Sequence, residues 1–78
     1  MGSAVKLSEL ATGAAAVITR FVPGTTPLLR LREMGVLPGT RITLVRRAPL
    51  GDPLEISVRG SLLSVRAQEA ERIEVEPE

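Results

Sequence analysis

The chain has no cysteine, no histidine, no tryptophan and no tyrosine, and Phe21 is its single aromatic residue. Without cysteine no disulfide can staple the fold. The missing cysteine and histidine also remove the side chains that dominate zinc, copper and structural iron sites, so no resident metal or cofactor is expected. The same gaps remove a thiol nucleophile, an imidazole base and any Ser-His-Asp arrangement, and an enzyme is not expected. Charge of one sign is lacking too. Ten basic residues against nine acidic ones leave a net charge of +1, too little for the field that drives nucleic-acid binding. No apolar run reaches the roughly 18 residues needed to span a bilayer, and no charged start precedes a cleavable apolar segment. The expectation is a cytoplasmic protein with no insertion into the membrane.

What remains is enough for one thin core. A chain of 78 residues is short for two domains, and its core must be built from Leu, Ile, Val and Ala. There is no internal repeat or low-complexity tract, so residues 1–78 read as a single domain. Met1 to Ala4 are either native or a remnant of cloning.

Gly and Pro cut the chain into segments of strand length with one helical exception. Ser8-Glu9-Leu10 reads as a helical turn capped by Ser8. A first strand follows from about Ala15 to Phe21, with Ala16 and Ile18 on one face. Phe21 has the opposite parity and needs a bulge or twist to join them. Pro27 to Met34 reads as a helix with Thr26 as cap and Pro27 in the first turn. Leu28, Leu31 and Met34 make its inward stripe, Arg30 and Glu33 lie outward, and Leu29 is left apolar and exposed.

After the Pro38-Gly39 turn, Arg41 to Ala48 is a strand with Ile42 and Leu44 inward. Leu54 to Arg59 shows the cleanest alternation, with Leu54, Ile56 and Val58 inward. Leu63 and Val65 continue that face, a capped turn covers Gln68 to Glu71, and Ile73 with Val75 closes the sheet. These segments predict a mainly β fold: a small, partly open, five-stranded antiparallel barrel of SH3-like type, with one helix inserted after the first strand.

Two runs exceed what local propensity demands, Met34-Gly35-Val36-Leu37-Pro38-Gly39 and Ala48-Pro49-Leu50-Gly51-Asp52-Pro53-Leu54. With Leu7-Ser8-Glu9-Leu10 and Ile73-Glu74-Val75, they make about residues 5 to 76 resemble the FeoA family, small accessory proteins of bacterial ferrous iron transport. The resemblance implies an SH3-like fold and a partner, the FeoB permease, bound through its cytoplasmic G-protein portion or its membrane core, with GTP hydrolysis or assembly as the regulated step. Similar domains end iron-dependent repressors, but no helix-turn-helix precedes the barrel here, which favours a stand-alone protein.

Two surfaces are candidates for partner binding. Pro49 to Pro53 reverses the chain with Pro, Gly and Asp in turn roles, Asp52 bonding its own backbone, yet turning needs no apolar Leu50 at the tip. The helix face with Leu29, Arg30 and Arg32 offers an apolar contact and guanidinium forks for carboxylates. A basic stripe from Arg41, Arg46, Arg47, Arg59 and Arg66 is the nucleic-acid alternative. Glu55, Glu69, Glu71, Glu74 and Glu76 can neutralise it, and no aromatic is spare for stacking on bases, so no nucleic-acid partner is expected. Glu74, Glu76 and Glu78 share a strand face and diverge, so they form no iron site. An exposed strand edge leaves a homo-oligomer open.

Overall fold

The computed structural model describes residues 4–25 and 27–78. Six strands form one antiparallel sheet: β1 (Val5–Lys6), β2 (Ala15–Phe21), β3 (Arg41–Arg47), β4 (Leu54–Val58), β5 (Ser61–Val65) and β6 (Ile73–Pro77), in the spatial order β1-β6-β2-β3-β4-β5. A 3-10 turn spans Leu7–Glu9, helix α1 spans Leu29–Glu33 and helix α2 spans Ala67–Ala70. The fold is mainly β as expected, with one strand more than the alternation predicts. Two residues of β1 carry no readable period, and only their pairing of Val5 with Val75 and Lys6 with Glu74 makes them a strand. The helix accordingly follows the second strand, not the first.

Strand alternation places one apolar face over a single core. Ala16 and Ile18 of β2, Ile42 and Leu44 of β3, Leu54, Ile56 and Val58 of β4, Leu63 and Val65 of β5, and Ile73 and Val75 of β6 are all buried in it. The parity problem at Phe21 is resolved by a register shift between Ile18 and Arg20 where β2 meets β6, which turns Phe21 onto the edge of the core.

The inward stripe of α1 is only partly as predicted. Leu28 and Leu31 are buried, but Met34 is 53% exposed. The helix is shorter than the expected 27–34 span, and Met34 falls at its C-cap with non-helical backbone. Gly35 then adopts φ 99°, and Val36, fully buried, takes the core position in place of Met34. The cap assigned to Thr26 lies outside the described residues.

The first helical turn also starts differently. Lys6, not Ser8, is its N-cap, and Glu9 accepts the Lys6 backbone N–H at 3.1 Å. Helix α2 begins the same way, with Glu69 accepting the Arg66 N–H at 2.8 Å. Both are the far half of a capping box, a carboxylate at the third helical position satisfying an orphan donor.

The Ser8 side chain bonds elsewhere. Its hydroxyl donates to Glu71 at 2.9 Å, and Lys6 Nζ lies 3.2 Å from the other oxygen of the same carboxylate. The Ser8 hydrogen bond first, and then the Lys6 bond and charge, hold Glu71 below the ordinary carboxylate range. A carboxylate with a depressed folded pKa contributes stability above its unfolded pKa and loses it as pH falls through the folded value. Replacing Glu71 with Gln should therefore lower Tm at neutral pH, with the gap to wild type closing as pH drops through the acid range. A gap that is constant with pH would show that the charge plays no part.

The β4–β5 hairpin turns on two residues, Arg59 at φ 52° and Gly60 at φ 82°. Positive φ at both positions fits the twist of flanking strands, but the left-handed region costs a residue with a Cβ about 1–2 kcal/mol. Asn tolerates it better. Arg59→Asn should raise stability by about 0.5–1 kcal/mol, read as roughly 2–8 °C in Tm. An unchanged or lower Tm would show that the Arg59 side chain offsets its backbone cost.

Candidate functional site

The 49–53 loop leaves β3 and returns on β4 as a closed turn. The Ala48 N–H donates to the Pro53 carbonyl at 3.0 Å, the Gly51 N–H to the Ala48 carbonyl at 2.7 Å, and Gly51 sits at φ 86°. The Asp52–Pro53 peptide bond is cis. Asp52 does not bond its own backbone as the turn chemistry suggests. Its Oδ1 instead accepts the Ala67 N–H at 3.0 Å, the first amide of α2, so the loop caps a helix 15 residues downstream. This fixed turn holds Leu50 at its tip, 96% exposed.

A cavity opens on each side of the loop, and Pro53 lines both. The first, about 420 Å³, is bounded by Arg46, Arg47, Pro49 and Glu55; the second, about 410 Å³, by Arg30, Ser64, Arg66 and Glu69. In each, one of the two arginines is paired with the glutamate. Arg46 Nε pairs with Glu55, and Arg30 Nη2 donates to Glu69 Oε1 at 2.9 Å and to the Ser64 carbonyl at 3.2 Å. Arg47 is structural: Nη2 donates to the Ser8 and Leu10 carbonyls at 2.8 and 2.7 Å, tying β3 to the 3-10 turn.

The helix face does not hold together as a single surface. Residues two apart on a helix point about 200° apart, and Arg30 and Arg32 do so. Arg30 joins the cleft beside the 49–53 loop. Leu29, 63% exposed, and Arg32 line a separate cleft on the other side of α1, where the Arg32 guanidinium lies 5.7 Å from the Phe21 ring centroid. That separate cleft also contains Arg72, which no motif in the sequence singles out. Arg72 is 40 residues from Arg32, and only the pairing of Phe21 with Ile73 on neighbouring strands brings the two together. Glu69 is legible at least in part, because Arg66 and Glu69 carry the capping-box spacing.

The predicted basic stripe is interrupted along its length. Arg41 meets Glu78 at 2.8 Å, and Arg46 meets Glu55. Among the described residues no three acidic side chains converge as metal ligands would. Among them, too, no helix is long and apolar enough to cross a membrane.

The open antiparallel sheet, the short helices and the exposed loop define a small β-barrel-type domain of the SH3 class. The FeoA of Stenotrophomonas maltophilia, a structure described as a prokaryotic SH3 domain protein complexed with zinc, is 31% identical and superposes with a TM-score of 0.77 over 91% of this chain and 88% of that one. The solution structure of FeoA from Chlorobium tepidum, 40% identical, gives a TM-score of 0.84 over 94% of this chain and 70% of that one. The FeoA domain model matches residues 5–77, and the chain belongs to the FeoA family. A curated relative from Porphyromonas gingivalis, an Fe(2+) transport protein A/Fe(2+) transporter FeoB fusion protein, is 42% identical over 72 residues, 92% of this chain. The chain spans only 8% of that relative's length.

Proposed function

We propose that this chain is a cytoplasmic accessory protein of ferrous iron uptake that docks on a FeoB-type permease and modulates its GTP hydrolysis or its assembly, with no chemistry of its own. The observation that carries this reading is the Porphyromonas gingivalis fusion, in which a segment 42% identical to this chain is part of one polypeptide with a FeoB transporter. A tether of that kind keeps two modules at millimolar effective concentration, whereas a separate chain must supply the same proximity through a surface of its own. The fixed 49–53 turn supplies a suitable anchor in Leu50, an apolar side chain held in water by a rigid loop.

Calorimetric titration of the chain into the cytoplasmic portion of a FeoB-type permease from the same source tests the reading. Saturable binding with Kd in about the micromolar range or tighter is expected, with a change in GTP turnover or in the permease's oligomeric state. Absence of binding together with unaltered turnover and assembly would refute it.

A further inference from the structure

The cleft between α1 and the segment that follows β2 differs in charge from the two beside the 49–53 loop. Its volume is about 310 Å³, and its walls include Phe21, Pro27, Leu29, Arg32 and Arg72. No carboxylate lines it among the described residues, and neither Arg32 nor Arg72 makes an ion pair there. The other two clefts each contain an arginine already bonded to a glutamate.

Arg72 is held in place from above. Its Nε donates to the Val22 carbonyl at 2.9 Å, the Val22 N–H donates to the Arg72 carbonyl at 2.7 Å, and Nη1 is buried with no hydrogen-bond partner among the described residues. A guanidinium does not lose its proton in a protein, so the half-buried Arg72 keeps its charge, which no carboxylate among the described residues offsets, and projects a positive field into the cleft. Gly24 passes so close that a Cβ there would lie 2.7 Å from Arg72 Nε. Arg32 stands at the rim, over the Phe21 ring, and its guanidinium donates to no acceptor among the described residues.

We infer that this cleft receives an acidic side chain of a protein partner, its carboxylate placed between Arg32 and Arg72 and the partner's adjoining apolar residue against Leu29. Two positive groups without a counter-charge call for an anion: the exposed Arg32 guanidinium can take a carboxylate in two parallel bonds, and Arg72, whose Nε is already bonded and whose Nη1 is buried, adds its charge. The apolar wall distinguishes a peptide from a small inorganic anion, which would make no use of Pro27 or the exposed Leu29. The inference rests on the proposed docking role and deepens it by naming the chemistry of the segment that docks.

The probe is the peptide acetyl-Leu-Asp-Leu-amide, followed by NMR through the Nε–H signals of Arg32 and Arg72 in the whole chain. Saturable shifts of both signals are expected, with acetyl-Leu-Asn-Leu-amide and inorganic phosphate each needing at least about tenfold higher concentration. Arg32→Gln, at an exposed position, should weaken the acidic peptide about tenfold with Tm unchanged, and Gly24→Ala should weaken it by displacing Arg72. An equal response to the Asn peptide, a stronger response to phosphate, or an Arg32→Gln variant that binds like wild type would overturn the assignment. In parallel, Arg32→Gln should reduce affinity for the permease's cytoplasmic portion about tenfold. If the peptide binds as described while the wild-type chain ignores the permease, the cleft stands and the choice of partner falls.

Discussion

Leu50→Asp is expected to weaken binding to the permease's cytoplasmic portion by about thirtyfold or more and to leave Tm within a degree or two of wild type. The two halves of that expectation have separate causes. At 96% exposure Leu50 contributes almost nothing to the core, so its removal leaves no cavity. In a complex the same side chain would be fully desolvated, and covering a leucine is worth about 1.5–3 kcal/mol. Asp forfeits that gain and adds the cost of burying a charge. The turn should survive, since Gly51 and the Asp52 bond to Ala67 are untouched. Titration calorimetry beside thermal melts separates the outcomes: full affinity would remove Leu50 from the interface, and a lowered Tm would mean that the loop depends on it.

Ile56→Ala is expected to have the largest effect on stability, a loss of about 3–4 kcal/mol, or roughly 12–30 °C in Tm. Ile56 is fully buried at the middle of β4, directly opposite Leu44 on β3 and Leu63 on β5, both of which are buried. Truncation would open a void between three strands, and paired strands collapse poorly around a gap. A domain of this size has only about 4–12 kcal/mol in total, so the variant should be partly unfolded near physiological temperature. Leu62→Ala is the matched control: Leu62 lies on the opposite face of β5 and is 64% exposed, and its loss should cost no more than about 0.5 kcal/mol. Urea melts showing equal losses for the two variants would contradict the one-faced core.

That core is readable in the sequence because β-strand alternation is a local property. Leu54, Ile56 and Val58 state their face in five consecutive residues, and all three are buried. The irregularity near Ile18 is equally legible, since the parity of Phe21 requires a bulge or twist for it to join the core. The end of α1 is not, because Met34 and Val36 compete for one core position and only the left-handed turn at Gly35 decides between them. Ser8 misleads for a related reason: its hydroxyl suits a cap, but a carboxylate more than sixty residues later competes for it.

The candidate surfaces divide in the same way. Leu50 is visible as an apolar residue where turn chemistry asks for none. The separation of Arg30 from Arg32 is implicit in the helical period. Their different environments are not, because Glu69 and Arg72 reach them only through the folded sheet. Contacts of this range, such as Arg47 to Ser8 and Leu10 or Asp52 to Ala67, leave no periodic trace in the sequence.

The strand order has a bearing on how the molecule is made. Strands β2 to β5 neighbour each other in chain order, joined by the long connection that carries α1 and then by two short loops, but β6, built from residues 73–77, lies between β1 and β2. Until β6 pairs, one side of β2 is open and β1 has no partner strand. Closing them demands contacts between residues about seventy apart, the slow kind of step in folding. β6 is the strand that closes the sheet, tying the start of the domain to β2 through its pairs on both sides.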